Sequence, residues 1–199
     1  EGASAGPHLH LELRHSDTQE YIDPMPYFGH LLKDSKAPVA SLVGIYPVAG
    51  KGVVEGRTRK KLVAVGNLSQ PVEAWGEIYT GISAKDYMDG TSNFYGVHSV
   101  TLYVDSVEVF RSVTDRVLPD ENRMINGFTD YEELMKTRRL VMRSRVLPGN
   151  RLRLLHADEN GGIVNISEER NYRVVYTRLY ACRLGEILVK GHSENLVVE

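Results

Sequence analysis

The sequence has little of what would place it in several common classes of protein. It contains one cysteine, Cys182, so neither an intramolecular disulfide nor a cysteine-based zinc knuckle can form. Its longest mostly apolar stretch, residues 38–50, is interrupted by Ser41 and Pro47 and is shorter than the roughly 20 apolar residues of a membrane helix. There is no surplus of positive charge either, since 24 Lys and Arg face 26 Asp and Glu. We therefore expect neither a transmembrane segment nor a nucleic-acid partner.

What is present is a globular composition with the patterns of β-strands. Hydrophobic residues make up 42% and charged residues 25% of the chain. Residues 8–14 alternate polar and apolar side chains, the period of a half-buried strand. Asp105-Ser106 and residues 183–185 are predicted turns between strands. Further strands are predicted at residues 41–48, 61–65, 72–83, 100–104, 107–110, 151–157, 162–166, 172–182 and 186–190.

One helix is predicted in this strand-rich chain. Thr129 and Glu132 have the spacing of a capping box, which predicts a short helix over residues 130–138. Many short strands with one helical insertion indicate an antiparallel β-sandwich. The fold class is therefore expected to be mainly β.

The domain organisation is predicted from a polar segment, residues 33–38, that ends in Pro38. The piece before it is too small to bury a core of its own, so residues 1–33 are expected to be the C-terminal part of a larger domain. Residues 37–191 would then form the β-sandwich, and residues 192–199 a tail. The first residues contain neither an initiator Met nor an apolar signal core, which favours a processed protein or an excised fragment.

Two histidines near the N-terminus carry the clearest chemistry. His8 and His10 would project from the same face of the predicted strand, with Leu9, Leu11 and Leu13 pointing into a core. One imidazole could then ligate zinc while the other handles protons. Two exposed strand histidines without a function are the alternative.

The residues around this pair resemble the C-terminal end of the LytM/lysostaphin-type zinc metallopeptidases, which cut the peptide cross-links of bacterial peptidoglycan. The resemblance is carried by the run Ser4-Ala5-Gly6-Pro7-His8-Leu9-His10-Leu11-Glu12-Leu13-Arg14 and by Tyr21-Ile22-Asp23-Pro24-Met25-Pro26-Tyr27-Phe28. It implies that His10 is the third protein ligand of a zinc ion and that His8 is the catalytic histidine. Leu11 stands where the family usually has Phe.

The sequence also departs from the family pattern. The upstream His-x-x-x-Asp motif and a second catalytic histidine, which the family places before the His-x-His strand, are not found before His8. His30 and Asp34 have the same spacing, but they follow the pair, and such a spacing also arises by chance. Glu12 shares the face of the histidines, and a salt bridge is expected for it rather than metal binding. With one inherited ligand, these 199 residues alone are expected to be inactive.

The second region resembles the immunoglobulin-like (Ig-like) domain that follows the peptidase domain in envelope proteins of some Gram-negative bacteria. The segments that carry this resemblance are residues 96–105, 123–132 and 147–152. Such a domain would either position the peptidase on the cell wall or a partner, or pack on it as a structural appendage. Tyr172, Tyr176 and Tyr180 form either a sugar-binding platform or, as the strand period favours, part of the core. Cys182 is expected to be a small buried hydrophobe.

The leading functional hypothesis is therefore part of a zinc endopeptidase that acts on peptidoglycan peptides in the cell envelope, periplasmic or exported. A non-catalytic LytM-like protein that binds and activates another cell-wall hydrolase is the first alternative. A β-sandwich that acts only as a binding module is the second.

Overall fold

The computed structural model describes residues 6, 10–178 and 183–193. Its α-helices are α1 (Met25–Phe28), α2 (Ile125–Phe128) and α3 (Tyr131–Thr137), and its 3₁₀ helices are Gly29–Leu31, Val65–Asn67 and Pro119–Met124. Its strands are β1 (Leu13–Arg14), β2 (Tyr21–Ile22), β3 (Val39–Val54), β4 (Lys61–Ala64), β5 (Val72–Tyr87), β6 (Phe94–Tyr95), β7 (Ser99–Val104), β8 (Val107–Val113), β9 (Arg116–Val117), β10 (Met142–Arg143), β11 (Leu155–Ala157), β12 (Val164–Ile166), β13 (Asn171–Thr177) and β14 (Arg183–Gly191). With 46% strand and 16% helix, the predicted mainly β class is confirmed.

Two strands of 16 residues, β3 and β5, form the spine of the larger sheet and are longer than the sequence pattern predicts. They pair antiparallel along most of their length, and the other edge of β5 pairs in turn with β14, β12, β10 and β6. Their register shifts between Pro47 and Gly52. At this irregularity Gly76 has φ +76°, and a Cβ there would lie 2.1 Å from the carbonyl oxygen of Lys51. A glycine is therefore required at this position.

The remaining strands continue the larger sheet in the order β11-β8-β7-β13-β14-β5-β3-β4. All of these pairs are antiparallel except β14 with β5, which is parallel. The predicted hairpin between β7 and β8 is confirmed, and Asp105 and Ser106 have the positive φ values of a two-residue turn. Tyr176 on β13 reaches across to Thr80 on β5, their hydroxyl oxygens being 2.7 Å apart. The sheet thus folds over a main core to which β3, β5, β7, β8, β13 and β14 all contribute, and Leu42, Tyr46 and Val141 form a second, smaller cluster.

Two local predictions are wrong. Residues 183–185 lie in β14 rather than in a turn, because Leu184 is buried and Gly185 pairs with Tyr176 of β13. Helix α3 is capped by Asp130, whose carboxylate accepts a hydrogen bond from the Glu133 amide at 3.2 Å. Thr129, the predicted cap, instead donates its hydroxyl to the carbonyl oxygen of Ile125.

The tyrosine stripe belongs to the core as far as it is described. Tyr172 and Tyr176 are buried, which confirms the core interpretation for these two residues. Tyr180 and Cys182 lie outside the described residues.

The N-terminal segment forms a small sheet with the rest of the chain. Strand β2 pairs with β1 on one side and with β9 on the other, so backbone pairing crosses the predicted domain boundary. The predicted strand at residues 8–14 is reduced to Leu13–Arg14 within the described residues. Leu11 is 62% exposed, so the expectation that it points into a core is wrong. Within the described residues, Leu11 and Glu12 are not paired with a strand, so no neighbouring strand covers the Leu11 side chain.

Candidate functional site

His10 lies just before the β1–β2 hairpin and has an accessible imidazole. Its side chain is 71% exposed, and its Nε2 lies 3.6 Å from an Oε2 oxygen of Glu12. The other carboxylate oxygen of Glu12 accepts a hydrogen bond from Arg14 Nε at 2.6 Å. This hydrogen bond lowers the pKa of Glu12, which stays ionised beside the imidazole. Glu12 thus has the salt-bridge role that its position in the sequence predicts.

Arg14 also joins the two strands of this hairpin. It lies opposite Tyr21 in the β1–β2 register. Its guanidinium sits 4.3 Å from the centroid of the Tyr21 ring and donates a hydrogen bond to the Tyr21 hydroxyl at 3.1 Å. The hairpin that presents His10 is therefore held by a cation–π contact as well as by backbone pairing.

The hairpin is anchored to the second region through Arg153. Glu20, which is buried immediately before β2, accepts a hydrogen bond from one terminal nitrogen of Arg153. Arg153 Nε donates to Glu121 at 2.8 Å, and Glu121 also accepts the amide of Leu118 at 2.9 Å. The arginine thus links two carboxylates from distant parts of the chain, and we call Glu20, Arg153 and Glu121 the arginine clamp.

The described residues do not complete a zinc site. His8, the predicted catalytic histidine, lies outside them. Among residues 10–178 and 183–193, no group of three His, Cys, Asp or Glu side chains is arranged to hold a metal ion. His30 lies in the 3₁₀ helix Gly29–Leu31 and is exposed, so the His30/Asp34 spacing gives no such group. Within the described residues, His10 is therefore not part of a group that could hold a metal ion.

A cleft of about 570 Å³ lies between the N-terminal segment and the sheet. Asp23, Asp34 and Asp86 line it together with His98, Arg178 and several apolar side chains. Asp23 lies 3.5 Å from His98 Nε2. Nothing in the local sequence around His98 indicates this contact, because Asp23 belongs to the distant N-terminal segment.

A second cleft, of about 700 Å³, is built around a buried carboxylate that the sequence analysis missed. Asp130 is 1% exposed. Its Oδ2 accepts hydrogen bonds from Lys60 Nζ at 2.6 Å and from the Tyr46 hydroxyl at 3.0 Å, while Arg143 lies 3.3 Å from Oδ1. Burial alone would raise the pKa of Asp130, but the hydrogen bonds from Lys60, the Glu133 amide and Tyr46 outweigh it and lower the pKa.

Comparisons with known proteins add no relative: no family model, no curated protein and no solved structure matches this chain. The likeness to the LytM/lysostaphin-type peptidases therefore rests on the residues of the histidine segment themselves. Within the described residues, no helix has both the length and the apolar character needed to cross a membrane.

Proposed function

We propose that the chain is part of a zinc metalloendopeptidase that hydrolyses the peptide cross-links of bacterial peptidoglycan in the cell envelope, periplasmic or exported. The observation that carries the proposal is the LytM/lysostaphin-like sequence of residues 4–14 and 21–28. The structure supports it by joining parts of both segments in one hairpin, with the His10 imidazole accessible at its start. The second region would be the Ig-like domain that holds this hairpin in place.

In this proposal His10 ligates the zinc and His8 handles the proton. A hydrolytic zinc site needs three protein ligands and one open position. By the resemblance, the other two ligands belong to a His-x-x-x-Asp motif upstream of His8 in the full-length protein. Of this ligand set, the described residues contain only His10.

The test is metal analysis and activity of histidine variants of the complete gene product. His10→Ala removes a ligand, so both bound zinc and cross-link cleavage should be lost. His8→Ala should retain nearly stoichiometric zinc and lose about 10²–10⁴-fold in turnover, the usual contribution of a proton-transferring side chain. His156→Ala, which changes an exposed histidine of the second region, is the matched control.

Zinc lost from His8→Ala but kept in His10→Ala would reverse the two assignments. Full zinc content and activity in both variants would refute the site.

A second candidate, a non-catalytic protein that activates another cell-wall hydrolase, is favoured by one feature of the surface. Helix α1 and the 3₁₀ helix after it expose several large apolar side chains: Met25, Tyr27, Phe28, Leu31 and Leu32. Contiguous exposed apolar surface often marks a protein contact. A complete protein that binds no zinc and cleaves nothing, yet increases the rate of a purified cell-wall hydrolase, would decide for this function.

A further inference from the structure

Positive charge is concentrated in two segments of this nearly neutral chain. Residues 57–61 contain four Lys or Arg and no acid, while residues 130–145 contain five Lys or Arg and three acids. The two segments together carry a net charge of +6, whereas the whole chain carries −2. The remainder of the chain is therefore distinctly acidic, and the basic residues form a local feature.

The fold brings these two segments together. Lys60 Nζ lies 2.6 Å from Asp130 and 3.5 Å from Glu132, which joins the β3–β4 loop to helix α3. Between them opens the cleft of about 700 Å³, which we call the basic cleft. Its charged lining residues are Arg59, Lys60, Lys136, Arg143, Asp130 and Glu132.

The two acidic residues that line the basic cleft already form ion pairs within the protein. Asp130 is buried against Lys60 and Arg143, and Glu132 pairs with Lys136 at 2.5 Å. The Arg59 guanidinium, by contrast, lines the cleft, is exposed, and has no hydrogen bond or ion pair within the described residues. The cleft thus presents positive charge that this part of the protein does not neutralise.

The lining of the cleft also contains an aromatic pair, Tyr46 and Tyr79. Tyr46 and Tyr79 stack with ring centroids 4.9 Å apart and an interplanar angle of 9°. Arg145 covers Tyr79 at 4.9 Å from the ring centroid and thereby stiffens the pair. Because Tyr46 is buried and Arg145 covers Tyr79, the pair supports the cleft and the Arg59 guanidinium is the group left for a ligand.

We propose that the basic cleft binds a free carboxylate of a short peptide, with Arg59 as its principal contact. The guanidinium fork of arginine matches a carboxylate in shape and charge. The volume lies in the usual range of small-ligand sites, about 300–1,000 Å³. A concave site of this size fits a peptide end better than the plane of a membrane. The identity of the peptide rests on the proposed function, because peptidoglycan stem peptides carry free carboxylates.

The test is calorimetric titration of the complete protein with a synthetic stem-type tetrapeptide that has free carboxylates. The same peptide with all its carboxylates amidated, and inorganic phosphate, are the comparison ligands. Arg59→Gln should weaken binding of the acid form by about tenfold, the usual loss for a hydrogen bond to a charged group. Arg151→Gln removes an exposed arginine that does not line the cleft and should leave binding unchanged.

Arg59 has no structural partner in the part of the chain that the structure describes, so loss of binding in Arg59→Gln cannot be attributed to unfolding. Equal binding of the acid and amide peptides, or equal affinity of Arg59→Gln and the wild type, would overturn the proposal. Phosphate binding as tight as the peptide would also overturn it, since the site would then recognise negative charge alone.

The comparison of Arg59→Gln with the wild type does not depend on bound zinc. Failure of the cleft would therefore leave the histidine assignments standing. If His10→Ala and His8→Ala instead kept full zinc content and activity while the cleft bound the peptide, the two histidine assignments alone would fall.

Discussion

Replacing Asp130 should show how much more a buried carboxylate contributes to the free energy of unfolding than an exposed ion pair does. Asp130→Asn keeps a side chain that can cap helix α3, because Asn and Asp are equally good N-caps. It removes the negative charge that holds Lys60 and Arg143, at 2.6 Å and 3.3 Å. The change therefore isolates the charge from the capping hydrogen bond.

The magnitude follows from how deeply each group is buried. Breaking a fully buried ion pair costs about 3–5 kcal/mol, because a charge is left without a partner. Lys60 and Arg143 keep 22% and 23% of their side-chain surface in contact with water, so both can partly rehydrate. We expect Asp130→Asn to lower the free energy of unfolding by about 2–3 kcal/mol. That corresponds to a decrease in Tm of about 4–12 °C for a chain of this size.

Urea denaturation of Asp130→Asn, Asp130→Ala and Glu132→Gln would test this value. Asp130→Ala should cost about 1 kcal/mol more than Asp130→Asn, since it also loses the cap. Glu132→Gln is the control, because Glu132 contacts the same Lys60 from an exposed position on the same helix and its loss should cost far less. An Asp130→Asn variant as stable as the wild type would refute the argument that this carboxylate stabilises the fold.

The effect should also depend on pH, in a direction set by the lowered pKa of Asp130. A carboxyl group whose pKa is lower in the folded state contributes stability that is fully present above its unfolded pKa of about 4. This contribution is lost as the pH falls through the folded-state pKa. The stability difference between wild type and Asp130→Asn should therefore be constant near neutral pH and shrink below about pH 4. A difference that grew on acidification would contradict the assigned ionisation state.

Two further predictions concern the core and the arginine clamp. Tyr176→Phe removes the hydroxyl that lies 2.7 Å from each of the buried hydroxyls of Thr80 and Ser144. It should lower the free energy of unfolding by about 1–3 kcal/mol. Tyr27→Phe, at an exposed site, is the control and should change it very little. Arg153→Met leaves the two buried carboxylates of the arginine clamp without their shared cation. Hydrogen exchange at the β2 amides should therefore become faster, while exchange in the β13–β14 pair stays unchanged. Equal β2 exchange rates in the variant and the wild type would show that the clamp does not hold the hairpin.

The sequence predicts those parts of the fold that local patterns determine. The β7–β8 hairpin is one example, because alternation on both sides of Asp105-Ser106 and the tolerance of these residues for positive φ act within a few positions. The length of β5 is not predictable in this way. Its second edge is occupied in turn by four separate strands that come from later parts of the chain, and each of them extends the pairing.

The displaced helix cap shows the same limit on a smaller scale. Thr129 and Asp130 are adjacent and both are good capping residues. Asp130 takes the position because its carboxylate is also required by Lys60, which lies 70 residues away in sequence. Local spacing alone cannot choose between two such neighbours, since the deciding contact is tertiary.

The candidate sites also differ in how much of each can be predicted from local sequence. His10 is a candidate in the sequence because it lies two residues after His8 in a segment that resembles a known family. The sequence shows the basic cleft only as two basic stretches. That they form a cleft depends on how β3, β10 and α3 pack together in the fold. Charge counted over the whole chain conceals it, because the acidic remainder cancels the local excess.

The contacts across the predicted boundary at residues 33–38 give the second region a physical role in the peptidase hypothesis. Residues on both sides share the β2–β9 pair and the arginine clamp. A histidine that must meet other ligands within a fraction of an ångström needs a rigid support. The β1–β2 hairpin has only two residues in each strand, too few to be rigid alone. The β2–β9 pair and Arg153 therefore support the hairpin, and in the proposed peptidase the second region would act as the scaffold of the His10 segment.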